Sequence, residues 1–142
     1  MILLDTDHAT FLKYPDGDRG RRLIDRLNAV PESEIIGVTI VTVEERMRGW
    51  LAAIAKEKSV VRQVGGYREL GLLFGFFQEF EIVPFDEPAA QNFEERRKQK
   101  LRLGTMDLKI AAIATIHNAL LLSANRTDFE KVPGLRVENW LD

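Results

Sequence analysis

The chain has 142 residues, a formal net charge of −2, 45% hydrophobic residues and no cysteine. That length suits one domain with its own core, and the absent thiols exclude disulfide staples and thiolate zinc sites. No basic N-terminal segment leads into a long apolar stretch, and no run approaches the ~20 apolar residues of a membrane span, so the expectation is a cytoplasmic protein without membrane contact. The slightly acidic balance also argues against a globally basic nucleic-acid binder.

The first element is the apolar run Ile2, Leu3, Leu4, closed by Asp5, Thr6 and Asp7. Without polar alternation it predicts a strand buried on both faces. The carboxyl ends of such strands are where open α/β sheets bind ligands. Asp5 there either shapes a turn and caps the next helix or holds a cation at the edge of an apolar core. Thr6 to Leu12 predicts a helical turn, and Tyr14 to Gly20 a breaker-rich loop. Leu23, Ile24, Leu27 and Val30 mark one face of a helix from Arg21 to Val30, stopped by Pro31.

A strand from Ile35 to Ile40 follows, then a helix from Thr42 to Lys56 carrying Met47, Trp50, Leu51 and Ile54 at helical spacing. A further helix spans Val60 to Phe80, weakened by Gly65, Gly66, Gly71 and Gly75. Its surplus of apolar residues makes it the candidate dimer surface. Glu81 to Phe85 predicts a third strand, and Asp86, Glu87, Pro88 start a helix that runs to Leu103. Gly104 breaks it. The next helix begins at Thr105, and its body, Leu108 to Ile116, is apolar nearly all round and so is buried. Ala119 to Ser123 is a fourth strand, Asn125 to Phe129 a turn, and Leu135 to Trp140 a last strand. The alternation predicts a single three-layer α/β/α domain over residues 1–142, with a central, mostly parallel sheet.

Four acidic positions fall where this topology brings strand ends together: Asp5, Glu45, Asp107 and Asp128. Each has a local reading of its own. Thr42 and Glu45 match a capping box, Asp107 suits the dipole of a helix first turn, and Asn125 and Asp128 suit a turn. Converging carboxylates repel one another, and a hard divalent cation is the usual remedy. Oxygen-only ligation points to Mg²⁺ or Mn²⁺ rather than zinc, and such a site suits phosphodiester hydrolysis. Arg96, Arg97, Lys98, Lys100 and Arg102 lie in the helix leading to Asp107. They are either a solvated face or contacts for a nucleic-acid backbone.

The opening LLDTDH, the stretch TIVTVEERMRGW with a Glu four residues before Gly49, LGTMDLKIAAIA and the late LLSANRTDFEKVPGLRVENW together resemble the PIN-domain ribonucleases, in particular the VapC toxins of toxin and antitoxin pairs. The resemblance implies a Mg²⁺- or Mn²⁺-dependent endoribonuclease acting on structured RNA, a homodimer, and a small cognate VapB-type antitoxin. Carried over by position, it implies Asp5, Glu45, Asp107 and Asp128 as catalytic acids, with Asp5, Asp107 and Asp128 on the metal. Asn125 competes with Asp128 for the fourth position, and Asp7 and Ser123 are supporting residues. Two other readings stand beside it. A haloacid dehalogenase-like phosphatase would use Asp5 as nucleophile but needs a late acidic pair where Ser123, Ala124 and Asn125 stand. A non-catalytic interaction domain would use all these acids as caps.

Overall fold

The computed structural model describes residues 1–142. Five strands, β1 (Ile2–Leu4), β2 (Ile36–Thr39), β3 (Glu81–Val83), β4 (Leu120–Leu122) and β5 (Arg136–Glu138), alternate with seven helices. The helices are α1 (Thr6–Lys13), α2 (Gly17–Asn28), α3 (Ile40–Lys56), α4 (Gln63–Phe77), α5 (Glu87–Lys98), α6 (Thr105–Ile116) and α7 (Arg126–Phe129). Every strand pairing is parallel, in the order β3-β2-β1-β4-β5. The central position of β1 explains its unbroken apolar run, because successive side chains point to opposite faces and both faces are covered. Leu3 packs with Ile110, Ala111, Ala114 and Phe129 of α6 and α7 on one side. Ile2 and Leu4 pack with Leu23 of α2 and Leu73 and Phe77 of α4 on the other. The alanines of α6 are fully buried, which lets that helix lie close to the sheet. No helix is long and apolar enough to cross a membrane.

Four local expectations are corrected. The capping box at Thr42 and Glu45 does not form, because α3 starts at Ile40, two residues before the predicted start. Thr39 is its cap and accepts from the Thr42 N–H at 3.0 Å. Glu45 is thereby released from a capping role. The loop expected over Tyr14 to Gly20 ends early, since α2 already begins at Gly17, whose φ of +86° makes the entry turn. Helix α4 is shorter than expected but continuous through its glycines, and Gly66 lies where a Cβ would come within 2.6 Å of the Ile54 side chain, so it serves close α3 to α4 packing. Helix α5 stops at Lys98 instead of Leu103. Lys100 and Arg102 take left-handed φ values of 52° and 56°, which a helix cannot contain, and so lie in the connection to α6.

Gly37 on β2 is fixed by its partner strand. A Cβ there would stand 2.5 Å from the Glu81 carbonyl oxygen across the ladder. Gly37→Ala is expected to destabilise the protein by about 1–3 kcal/mol by forcing β2 and β3 apart, measured as the shift in a urea unfolding midpoint. An unchanged midpoint would show that the edge strand yields freely.

Candidate active site

The strand order reverses between β1 and β4, since β2 and β3 extend the sheet one way and β4 and β5 the other. Such a switch point leaves a crevice at the strands' carboxyl ends. Asp5 and Ser123 are the residues that follow β1 and β4 there. The Ser123 hydroxyl donates to Asp5 Oδ2 at 2.8 Å and accepts from the Asn125 N–H at 3.0 Å. Asp5 Oδ1 accepts from the Thr6 N–H at 2.8 Å, so Asp5 does cap α1. Yet Asp5 is only 7% exposed, and its carboxyl is lifted to about 6. Burial is the main cause, the charges of Asp7 and Asp107 add to it, and the bonds from Thr6 and Ser123 oppose it.

Glu45 projects from the second turn of α3. Its Oε1 is buried with no hydrogen-bond partner. Burial lifts it to about 7, with the charges of Asp5, Asp107 and Glu44 behind. Asp107, in the first turn of α6, is also raised, by burial and then by Asp128 and Asp7. Asp128 in α7 is held low instead, by the side-chain amide of Asn125 and by Lys131, both at 3.0 Å. Lys131 also donates to the Arg102 carbonyl at 3.3 Å, tying this end of the site to the α5 to α6 connection.

Asp7 is engaged differently. Its Oδ1 accepts from the backbone and ring Nδ1 of His8, both at 2.6 Å, and its Oδ2 accepts from the Ala124 N–H at 3.0 Å. The ring of His8 is fully buried, and its Nε2 accepts from the Trp140 N–H at 3.0 Å. That bond assigns the ring proton to Nδ1, which therefore donates to Asp7. Asp7 thus stitches the ends of β1 and β4 together, and the segment after β5 is buttressed through His8.

The charges form one coupled set: Glu45 feels Asp5 and Asp107, Asp5 feels Asp7 and Asp107, and Asp107 feels Asp128 and Asp7. Only Asp128 has a cation beside it. No three of these groups are gathered closely enough to enclose an ion; Asp5, Asp7 and Asp128 are each bonded to local donors. An all-oxygen donor set with uncompensated charge and one unpartnered buried oxygen fits a hard divalent ion that takes one or two carboxylates and keeps several waters.

Of the basic residues, Arg96, Arg97 and Lys98 form the last turn of α5. Arg97 is paired with Glu94 and lies 5.7 Å over the Phe93 ring. None of the five basic residues is among the charges acting on the site carboxylates. Two participants escape a reading by sequence. Thr6 Oγ1 is buried without a partner, and Lys131 is the counter-ion of Asp128. The spacing of three between Asp128 and Lys131 is a signal for the second; nothing in the sequence marks the first.

A PIN domain family model matches residues 2–135. The tRNA(fMet)-specific endonuclease VapC of Salmonella typhimurium is 31% identical over 77 residues, 51% of this chain and 58% of that protein. The chain thus spans a little over half of that relative's length. Ribonuclease VapC2 of Rickettsia felis is 26% identical over 146 residues, 99% of this chain and 98% of that protein. Among solved structures, DNA-bound VapBC from Salmonella typhimurium is 25% identical, with a TM-score of 0.74, over 98% of this chain and 97% of that chain.

Proposed function

The chain belongs to the PIN domain family, and we propose that it is a Mg²⁺- or Mn²⁺-dependent endoribonuclease, the toxin of a two-component pair. The observation that carries this reading is the coupled set of raised carboxylates at the switch point, above all Glu45, whose buried Oε1 lacks a partner. A capping role accounts for one oxygen of Asp5 but not for Glu45. The ribonuclease names of the relatives support RNA as the substrate class.

Asp5 and Asp107 hold the cation, with Asp128, kept ionised by Lys131 and Asn125, as the fourth acid. A bound divalent ion lowers the pKa of a water and offsets charge on the scissile phosphate. Ser123 Oγ and the Thr6 N–H fix the direction of the Asp5 carboxylate, and Asp7 fixes the two strand ends that carry it. Glu45, balanced near neutral pH, takes the proton of the attacking water. Arg96, Lys98, Lys100 and Arg102 receive the RNA backbone, while Arg97 contributes less because Glu94 already pairs with it. A small VapB-type antitoxin and a second copy of the chain are the proposed partners.

The test is cleavage of structured RNA by the purified protein in Mn²⁺, followed on gels. Asp107→Asn is expected to reduce the rate on the order of 10²-fold or more, at least the scale attached to outer partners of a metal site. A folded Asp107→Asn protein that cleaves at the wild-type rate would overturn the reading.

A further inference from the structure

Beside the site lies a cleft that shares Glu45 with it, while Arg46, Gly49, Trp50 and Ala53 have no part in the hydrolysis described above. Glu45, Arg46, Gly49, Trp50 and Ala53 follow one face of α3, and with Thr6 at the start of α1 they line a cavity of about 300 Å³. That size falls at the small end of ligand sites. Two buried oxygens, Thr6 Oγ1 and Glu45 Oε1, have no hydrogen-bond partner, whereas buried polar groups are normally satisfied.

Arg46 is half-buried and makes no ion pair or hydrogen bond, although Arg48 beside it pairs with Glu44. Arg46 is the one cationic side chain among the residues that line the cleft. A Cβ at Gly49 would meet nothing within 4 Å. Gly65, Gly71 and Gly75 of α4 are equally open, so openness alone says little; Gly49 is set apart by lying among the residues that line the cleft. There it keeps room beside Trp50 at the usual cost of a glycine inside a helix.

We propose that this cleft is a subsite for one ribonucleotide flanking the scissile phosphate, with its phosphate on Arg46, its base against Trp50 over Gly49, and its 2′-hydroxyl between Thr6 Oγ1 and Glu45 Oε1. An arginine fork matches phosphate oxygens, an aromatic ring accepts any base face, and a 2′-hydroxyl both donates and accepts, so it can pair with a carboxylate oxygen and a threonine hydroxyl alike. The subsite rests on the nuclease reading and adds to it where one nucleotide lies and how RNA is told from DNA.

The chain has two tryptophans, so Trp140→Phe leaves Trp50 as the only reporter. Adenosine 5′-monophosphate titrated in EDTA is expected to quench it saturably, and the 2′-deoxy nucleotide to bind several-fold more weakly. Arg46→Gln should weaken both about tenfold, the scale of one charge-assisted contact, Gly49→Val should abolish quenching, and Thr6→Val should erase the ribose preference. Should Trp140→Phe fail to fold, Trp50→Phe in the otherwise native chain must remove the quench while Trp140 still emits. On structured RNA in Mn²⁺, Arg46→Gln and Gly49→Val should raise KM with kcat within about twofold, a loss of uniform binding.

Absent quenching, quenching indifferent to Arg46→Gln and Gly49→Val, or an unchanged KM would overturn the subsite. An unchanged KM combined with loss of binding to a protein inhibitor would assign the cleft to a polypeptide instead. If the wild type cleaves RNA while these nucleotide results fail, the subsite is wrong and the nuclease reading stands. The expected quenching pattern in a protein that cleaves no RNA would establish the nucleotide cleft and overturn the nuclease.

Discussion

Asp5→Asn is expected to do two things of opposite sign: to reduce RNA cleavage by on the order of 10²–10³-fold, the scale of losing one preorganised electrostatic group, and to stabilise the metal-free protein at pH 8. Asp5 is buried and lifted from 3.8 to about 6, so between those values the folded protein holds a proton that the unfolded chain has released. Stability from this group is complete below pH 3.8 and is lost as pH rises to about 6. Above that, the folded state carries an unwanted charge at a cost of about 3 kcal/mol. Asparagine keeps the shape and caps a helix as well as aspartate does. Its Oδ1 still accepts from the Thr6 N–H, and its amide donates to the Ser123 oxygen. For a chain of this size the gain corresponds to roughly 5–10 °C in melting temperature, and it should vanish at pH 4. Melts in EDTA at both pH values, beside an RNA cleavage gel, decide the matter. A variant no more stable than the wild type at pH 8 would mean that the Asp5 charge costs the fold nothing.

What the sequence made legible follows from which forces are local. The unbroken apolar run of β1, the nearly all-apolar body of α6 and the plain run of β4 report burial directly, and they place Asp5, Asp107 and Ser123 at sheet and helix ends. Glu45 was harder, because Thr42 and Glu45 fit a capping pattern that Thr39 pre-empts by starting α3 earlier. Two threonines three residues apart leave the choice of cap to tertiary packing. The end of α5 was illegible because Lys100 and Arg102 adopt left-handed backbone without glycine, which the tertiary fold imposes against their local preference. The unpartnered oxygens of Thr6 and Glu45 were also out of reach, since a missing partner is a property of the folded neighbourhood. The same holds for His8, whose ring joins Asp7 to Trp140 across 132 positions of sequence.

A divalent cation is expected to invert the pH dependence of stability. Without it, Asp5, Glu45 and Asp107 all titrate above their ordinary values, so stability falls as pH rises from about 4 to about 7. Asp128 has the opposite sign, but it is held low and its contribution is lost only in stronger acid. A cation binds the deprotonated carboxylates and must displace their protons, so Mn²⁺ should stabilise strongly at pH 8 and hardly at pH 5. At a hundred times its dissociation constant the gain is about 2.7 kcal/mol. Cleavage in Mn²⁺ should also rise with pH as the carboxylates ionise, to a plateau reached below the metal-free value of about 7 for Glu45, because the cation favours the charged forms. Thermal shifts at pH 5 and pH 8, with and without Mn²⁺, and the pH profile of cleavage test both halves. Equal Mn²⁺ shifts at the two pH values, or a flat profile, would sink the carboxylate site. Carboxylates serving only as caps would behave oppositely: their charge would be wanted by the fold, stability would grow with pH, and Mn²⁺ would add nothing. The raised values of three acids at one strand crossing are what separate these two outcomes.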